Sequence, residues 1–325
     1  MKISSPAVRH LLIVTAISLA AIGAQGQPAS TWVQLSPKHS PTRRAACAMA
    51  YDPVSQKIVM FGGFYRGGYY GDTWTFDGTD WKRQKTAVAP SARAAAALAF
   101  DSTLQKLILF GGWDGQQYLG DTWEWDGATA SWTPTSPAKS PKPMTGPMVF
   151  TDPRTGRVDT YGGFDGRFYS LTTWRWRDGS WHKLFPDSFP SARGSAVLAT
   201  DPVRKQTVLF GGLADVNPNN TWTYDGKTWT QQFPSSQPSY RFFAGATYDP
   251  RFEGVLAFGG FSGGDVNDTW LWNGSDWLQV FPASAPPGRE SLGMAFDGAH
   301  QQTVIFGGLN GGTLLRDTWA LLTTN

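Results

Sequence analysis

Residues 93–132 read RAAAALAFDSTLQKLILFGGWDGQQYLGDTWEWDGATASW. Small residues follow Arg93, a short apolar run from Lys106 to Phe110 ends in Gly111-Gly112, and Thr122-Trp123 opens an alternating segment. The same phrase recurs along the chain. Aromatic-Gly-Gly triplets begin at Phe61, Phe110, Tyr161, Phe210, Phe258 and Phe306, with steps of 49, 51, 49, 48 and 48 residues. Nine residues before each triplet stands an aspartate: Asp52, Asp101, Asp152, Asp201, Asp249 and Asp297. Eight residues earlier again come Arg44, Arg93, Met144, Arg193, Arg241 and Arg289. A Thr-Trp pair follows each triplet, with tryptophans at 74, 123, 174, 222, 270 and 319. Repetition at a fixed period decides the architecture before local propensity does.

Each unit holds four strands. Residues 94–100 and 194–200 are rich in small side chains, as suits an inner strand crowded about an axis. Lys57–Phe61, Lys106–Phe110 and Gln206–Phe210 are apolar runs suited to a strand covered on both faces. Thr73–Phe76, Thr221–Tyr224 and residues 122–125 and 173–176 alternate, the period of a half-exposed strand. Asp77-Gly78, Asp178-Gly179, Asp225-Gly226 and Asn273-Gly274 supply the tight turn into a fourth strand carrying Trp81, Trp132, Trp181, Trp229 or Trp277. Those tryptophans lie twelve residues before the next marker, and Trp32 lies twelve before Arg44. The sixth unit stops soon after Trp319, so residues 31–35 are expected to supply its missing outer strand, closing a ring with no loose sheet edge.

An aromatic-Gly-Gly unit followed by paired tryptophans, repeated about every 49 residues, resembles the kelch repeat. The resemblance implies an all-β fold, a six-bladed kelch β-propeller whose last blade is closed by the N-terminal strand. It covers residues 27–325 as one domain. Residues 1–26 read differently: Lys2 and Arg9 precede an apolar run over 11–22 and small residues up to Gly26. That is the pattern of a signal peptide cleaved near Gly26, so a secreted or periplasmic location is expected.

Composition removes several functions. The chain has 28 Lys and Arg against 25 Asp and Glu, with no basic run, and so lacks the electrostatic footprint of a nucleic-acid binder. No segment after the leader is apolar enough to insert in a membrane. A single cysteine, Cys47, precludes an internal disulfide framework or a Cys-cluster metal site. His10, His39, His182 and His300 show no ligand spacing, so neither metal nor cofactor is expected, and the copper radical oxidases among kelch propellers are a poor match.

In a four-stranded meander the connections leading to the arginines share a face with the loops after Gly-Gly. These loops differ most between units, and loops on a rigid scaffold carry binding groups. The first holds Tyr65, Arg66, Tyr69 and Tyr70; the second Trp113, Asp114 and Tyr118; the third Arg167 and Tyr169. The fourth offers Asp215, Asn217 and Asn219. Rigid rings beside amides and arginines suit a glycan or a protein segment, with the alternative that the rings fold back over neighbouring units. Trp113 is the one tryptophan outside the repeat-determined positions. Glu290, beside Arg289, is the one charged residue directly following a marker. It suits either a local ion pair or acid-base chemistry, the latter making the chain a sugar-active enzyme similar to sialic-acid mutarotases, with an arginine holding the substrate carboxylate. A binding or scaffold module is the first expectation, and an envelope component without a site is the third.

Overall fold

The computed structural model describes residues 27–216 and 218–323; the expected signal peptide and Asn217 lie outside the described residues. Six four-stranded antiparallel sheets surround one axis. Blade 1 is Ala48–Asp52, Lys57–Phe61, Thr73–Phe76 and Trp81–Gln84, from the axis outwards. Blades 2 to 5 repeat this order over residues 97–134, 148–184, 197–232 and 245–280. Blade 6 has Gly293–Asp297, Gln302–Phe306 and Thr318–Thr323, with Ser30–Leu35 as its outermost strand. That last pairing runs antiparallel from Ser30 opposite Thr323 to Leu35 opposite Thr318. No described helix is long and apolar enough to cross a membrane.

The tryptophans of the fourth strands join the blades. Each reaches back to the preceding blade, where its indole N–H donates to the threonine of the Thr-Trp pair: Trp81 to Thr318, Trp132 to Thr73, Trp181 to Thr122, Trp229 to Thr173, Trp277 to Thr221 and Trp32 to Thr269. Each ring also packs on the preceding triplet aromatic, at centroid distances from 5.1 Å (Trp32 on Phe258) to 5.7 Å (Trp277 on Phe210). A buried indole needs both an apolar bed and an acceptor, and this geometry supplies both from one neighbour. Trp32 obeys the same rule as the other five, so the seam between the chain's two ends is built like every other seam.

The markers hold the upper face, that of the Gly-Gly loops. Arg44, Arg93, Arg241 and Arg289 are wholly buried and pair with Asp72, Asp121, Asp268 and Asp317, each aspartate standing two residues before a half-buried tryptophan. That tryptophan's indole donates to the same carboxylate. In blade 3 both charges are gone together, with Met144 in place of the arginine and Thr172 in place of the aspartate. A buried charge left without its partner costs several kcal/mol, so the two positions lose their charges as a pair. Blade 4 keeps Arg193 but offers it Asn220.

The triplet glycines follow from close approach. A Cβ on Gly62, at φ +71°, would sit 2.5 Å from the Arg93 carbonyl oxygen of the next blade. The next residue, Gly63, donates its N–H to that same carbonyl at 2.8 Å.

The inner strands start three residues later than expected, at Ala97 and Val197 rather than 94 and 194. Two of the three intervening residues explain the delay. The first pairs with the residue after Gly-Gly, as Ala94 does with Trp113. The second turns into the left-handed region: Ala46, Ala95, Gly146, Ser195, Phe243 and Ser291 all have φ between 51° and 59°. Their amides then point around the axis. Ala95 N–H donates to Ala46 O, Gly146 to Ala95, Ser195 to Gly146, Phe243 to Ser195, Ser291 to Phe243, and Ala46 to Ser291, at 2.7–3.2 Å. This closed collar of six backbone hydrogen bonds divides the axial space. Above it lies a funnel on the upper face; below it are two smaller cavities walled by the inner strands.

Candidate functional site

The residue after each Gly-Gly pair is large and apolar in all six units: Phe64, Trp113, Phe164, Leu213, Phe261 and Leu309. Each forms a bridge to the residue after a marker, which places it at the inner rim of the upper face. Trp113 is therefore a repeat-determined residue, contrary to the expectation that it is exceptional. The position after the triplet is the sequence signal that identifies the rim.

Five of these six rim residues, all but Phe261, surround the funnel, which has a volume of about 490 Å³. Of the residues expected from sequence, Tyr69, Trp113, Tyr118, Tyr169 and Glu290 line it together. Phe64, Phe164, Leu213, Leu309 and the collar residue Phe243 line it too. The rings of blades 2 and 3 form a continuous arc, which Tyr69 of blade 1 approaches over Gly115. Trp113 and Tyr118 lie 4.5 Å apart, Tyr118 and Phe164 6.0 Å, and Phe164 and Tyr169 4.9 Å. Tyr69 and Tyr118 each lean over the next blade: a Cβ on Gly115 would meet the Tyr69 ring at 2.7 Å, and one on Gly166 the Tyr118 ring at 2.5 Å. The folding back weighed as an alternative thus occurs, and it is what builds the arc.

Tyr65, Arg66 and Tyr70 lie elsewhere. They line a second groove of about 480 Å³ at the seam of blades 6 and 1, with Arg43, Leu314 and Arg316. Tyr65 and Tyr70 pack at 4.6 Å, and the buried Arg44 guanidinium stands 4.0 Å from the Tyr70 ring centroid. Asp114 and Arg167 line neither cavity. Asp114 caps its own loop, accepting the N–H groups of Gln116 and Gln117, and these hold its carboxyl below the usual range. Arg167 is exposed, with its guanidinium 4.9 Å from the Phe168 ring.

The marker arginines do not form a positive funnel. Arg289 donates to Pro287 O, Gly307 O and both oxygens of Asp317, with no side-chain surface exposed. Arg289 is thus not available to hold a substrate carboxylate, since a guanidinium saturated by its own fold has nothing left for a ligand. Glu290 likewise has no ion pair with any described residue. Its backbone bridges Leu309, and the half-buried residue lines the funnel with its carboxylate unpartnered among the described residues. Burial raises its pKa, and the charge of Asp265 raises it further. Asp265 takes the Gly311 N–H on one oxygen; the other is buried without a partner. Cys47 lines the cavity below the collar, its thiol pushed up to about 11 by burial.

Chemically the site is an apolar, ring-walled cup with one carboxylate. Its volume falls within the range of pockets that bind small groups or side chains. A family model described as the KLHDC2/KLHL20/DRC7 Kelch-repeats domain matches residues 28–184, from the closing strand to the end of blade 3. No curated protein matches the chain at a significant level.

Proposed function

Because the chain is a kelch-repeat β-propeller, we propose that it is a binding scaffold which seats a protein segment in the axial funnel of its upper face. The observation that carries this reading is the convergence of Tyr69, Trp113, Tyr118 and Tyr169, from three blades, on one 490 Å³ cup. Aromatic side chains offer large contact area with few torsions to freeze, so a pre-built arc of them binds at low entropic cost. The blades behind it are locked by indole hydrogen bonds and ion pairs, which keeps the rings in place without a ligand.

A glycan stacked on the same rings is the second reading, favoured by the open Trp113–Tyr118 pair. Export of the mature chain from residue 27 belongs to the same proposal. It is tested by N-terminal sequencing of the secreted protein, which should begin near Gln27.

Peptide and glycan arrays probed with the wild type, Trp113→Ala and Tyr69→Ala test the site. Binding to peptides that both substitutions weaken at least tenfold supports the proposal. Binding indifferent to both removes the funnel from it.

A further inference from the structure

We infer that the protein segment seated in the funnel presents a lysine-type alkylammonium side chain, with its methylenes against the aromatic rings of blades 1 to 3 and its charge directed at Glu290. This rests on the funnel being the binding site.

Charge carries the argument. Among the described residues, Glu290 is the only formally charged one lining the funnel. Of the marker arginines, Arg44, Arg93, Arg241 and Arg289 are sealed into carboxylate pairs beneath the rim, and Arg193 is fully buried against Asn220, with no side-chain surface to offer the funnel. Arg43, Arg66 and Arg316 line the separate seam groove. Glu290 meets no hydrogen-bond donor and no cation among the described residues, and Asp265, with its orphaned buried oxygen, adds only repulsion. A half-desolvated carboxylate beside a like charge is an unsatisfied group, and a cation entering the cup satisfies it.

The walls select the same class. Aromatic faces carry negative quadrupoles that attract ammonium groups, and the attraction grows where water is excluded. An anionic ligand would meet repulsion from both the rings and Glu290. A neutral apolar one would leave Glu290 buried and unpaired. Lysine combines a long apolar stem, which suits the ring-walled upper part, with a compact charge at its tip.

The test compares two acetylated, amidated peptides identical except that one carries lysine where the other carries norleucine, which keeps the stem and removes the charge. Each is titrated by calorimetry and NMR into the full-length mature protein. The lysine peptide should bind about tenfold or more tightly, as a cation–π contact reinforced by a carboxylate requires. Glu290→Gln should reduce that preference to about twofold or less, weakening the lysine peptide and relieving the penalty on norleucine, and Glu290→Lys should abolish lysine binding. Norleucine binding as tightly as lysine, a preference that survives Glu290→Gln, or no lysine binding at all overturns the inference. If both peptides bind equally and Trp113→Ala abolishes both, the funnel stands and only the cation is withdrawn. If Trp113→Ala leaves all binding intact, the funnel reading itself fails.

Discussion

Asn220 is the weak member of the upper-face pairs, and Asn220→Asp should stabilise the protein. In blade 1, Arg44 Nη1 and Nη2 reach Asp72 at 2.6 and 3.0 Å, and Trp74 Nε1 donates to the same carboxylate at 2.7 Å. In blade 4, Arg193 has a single contact with Asn220 Oδ1 at 2.9 Å. An amide has one oxygen, so no second acceptor faces the guanidinium, and the Trp222 indole N–H is buried with no partner. Burial without a counter-charge draws the Arg193 pKa down to about 10. At 1.36 kcal/mol per pH unit, this is a folding penalty of roughly 3 kcal/mol, present at every pH below that value. An aspartate would neutralise the charge and accept both missing hydrogen bonds, against the cost of desolvating its own carboxylate. The net gain should be about 1–3 kcal/mol.

Unfolding entropy grows with chain length, so for a domain of this size about 2 kcal/mol should lift the melting temperature by about 3 °C. Calorimetry and urea unfolding at pH 7 measure it. Asp72→Asn, which imposes the blade 4 arrangement on blade 1, should cost a similar amount. If Asn220→Asp melts no higher than the wild type while Asp72→Asn is destabilising, the account of Arg193 as an under-paired cation is wrong.

Three further outcomes are expected. Asp159 lies on the second strand of blade 3, clamped by Arg175 at 2.7 Å from each of its oxygens, and burial raises its pKa to about 7. The Arg175 clamp works against that burial and keeps both oxygens occupied, so Asp159→Asn, which breaks the pair, should cost about 3–5 kcal/mol in urea unfolding at pH 7. Trp32→Ala should cost about 3–5 kcal/mol in denaturant unfolding, since it empties the bed on Phe258 and orphans Thr269; a loss below about 1 kcal/mol would deny the seam its role. Cys47, buried and held as a thiol, should resist iodoacetamide at pH 8 in the native protein and react at once in urea, as mass spectrometry would register.

The blade count and strand order were legible because the repeat writes them six times in one phase, and Trp32 sits in the same phase as its five equivalents. The partners of the markers are also written in phase, at Asp72, Asp121, Asp268 and Asp317, but a recurrent aspartate next to a Thr-Trp pair does not by itself say which buried cation it meets. Met144 stands where the other units carry an arginine and Thr172 where most carry its aspartate, and the two make sense only together. Asp159 was hidden inside VDTY, where the equivalent runs are KLILF and QTVLF. Nothing in a single sequence says whether such an aspartate faces a guanidinium. The funnel was half legible. Its tyrosines were named, but those leaning inward could not be separated from Tyr65 and Tyr70, because that depends on which glycine of the next blade leaves room. The collar was not legible at all, since it is made by main-chain atoms of residues as different as Gly146 and Phe243.

That collar has a consequence for how the disc comes apart. A circular chain of amide bonds has no frayed end from which to unzip, so none of its six amide protons is released by local motion of one blade. Deuterium uptake at Ala46, Ala95 and Ser291 should therefore proceed at one common rate, set by the springing open of the whole annulus at whichever seam is weakest.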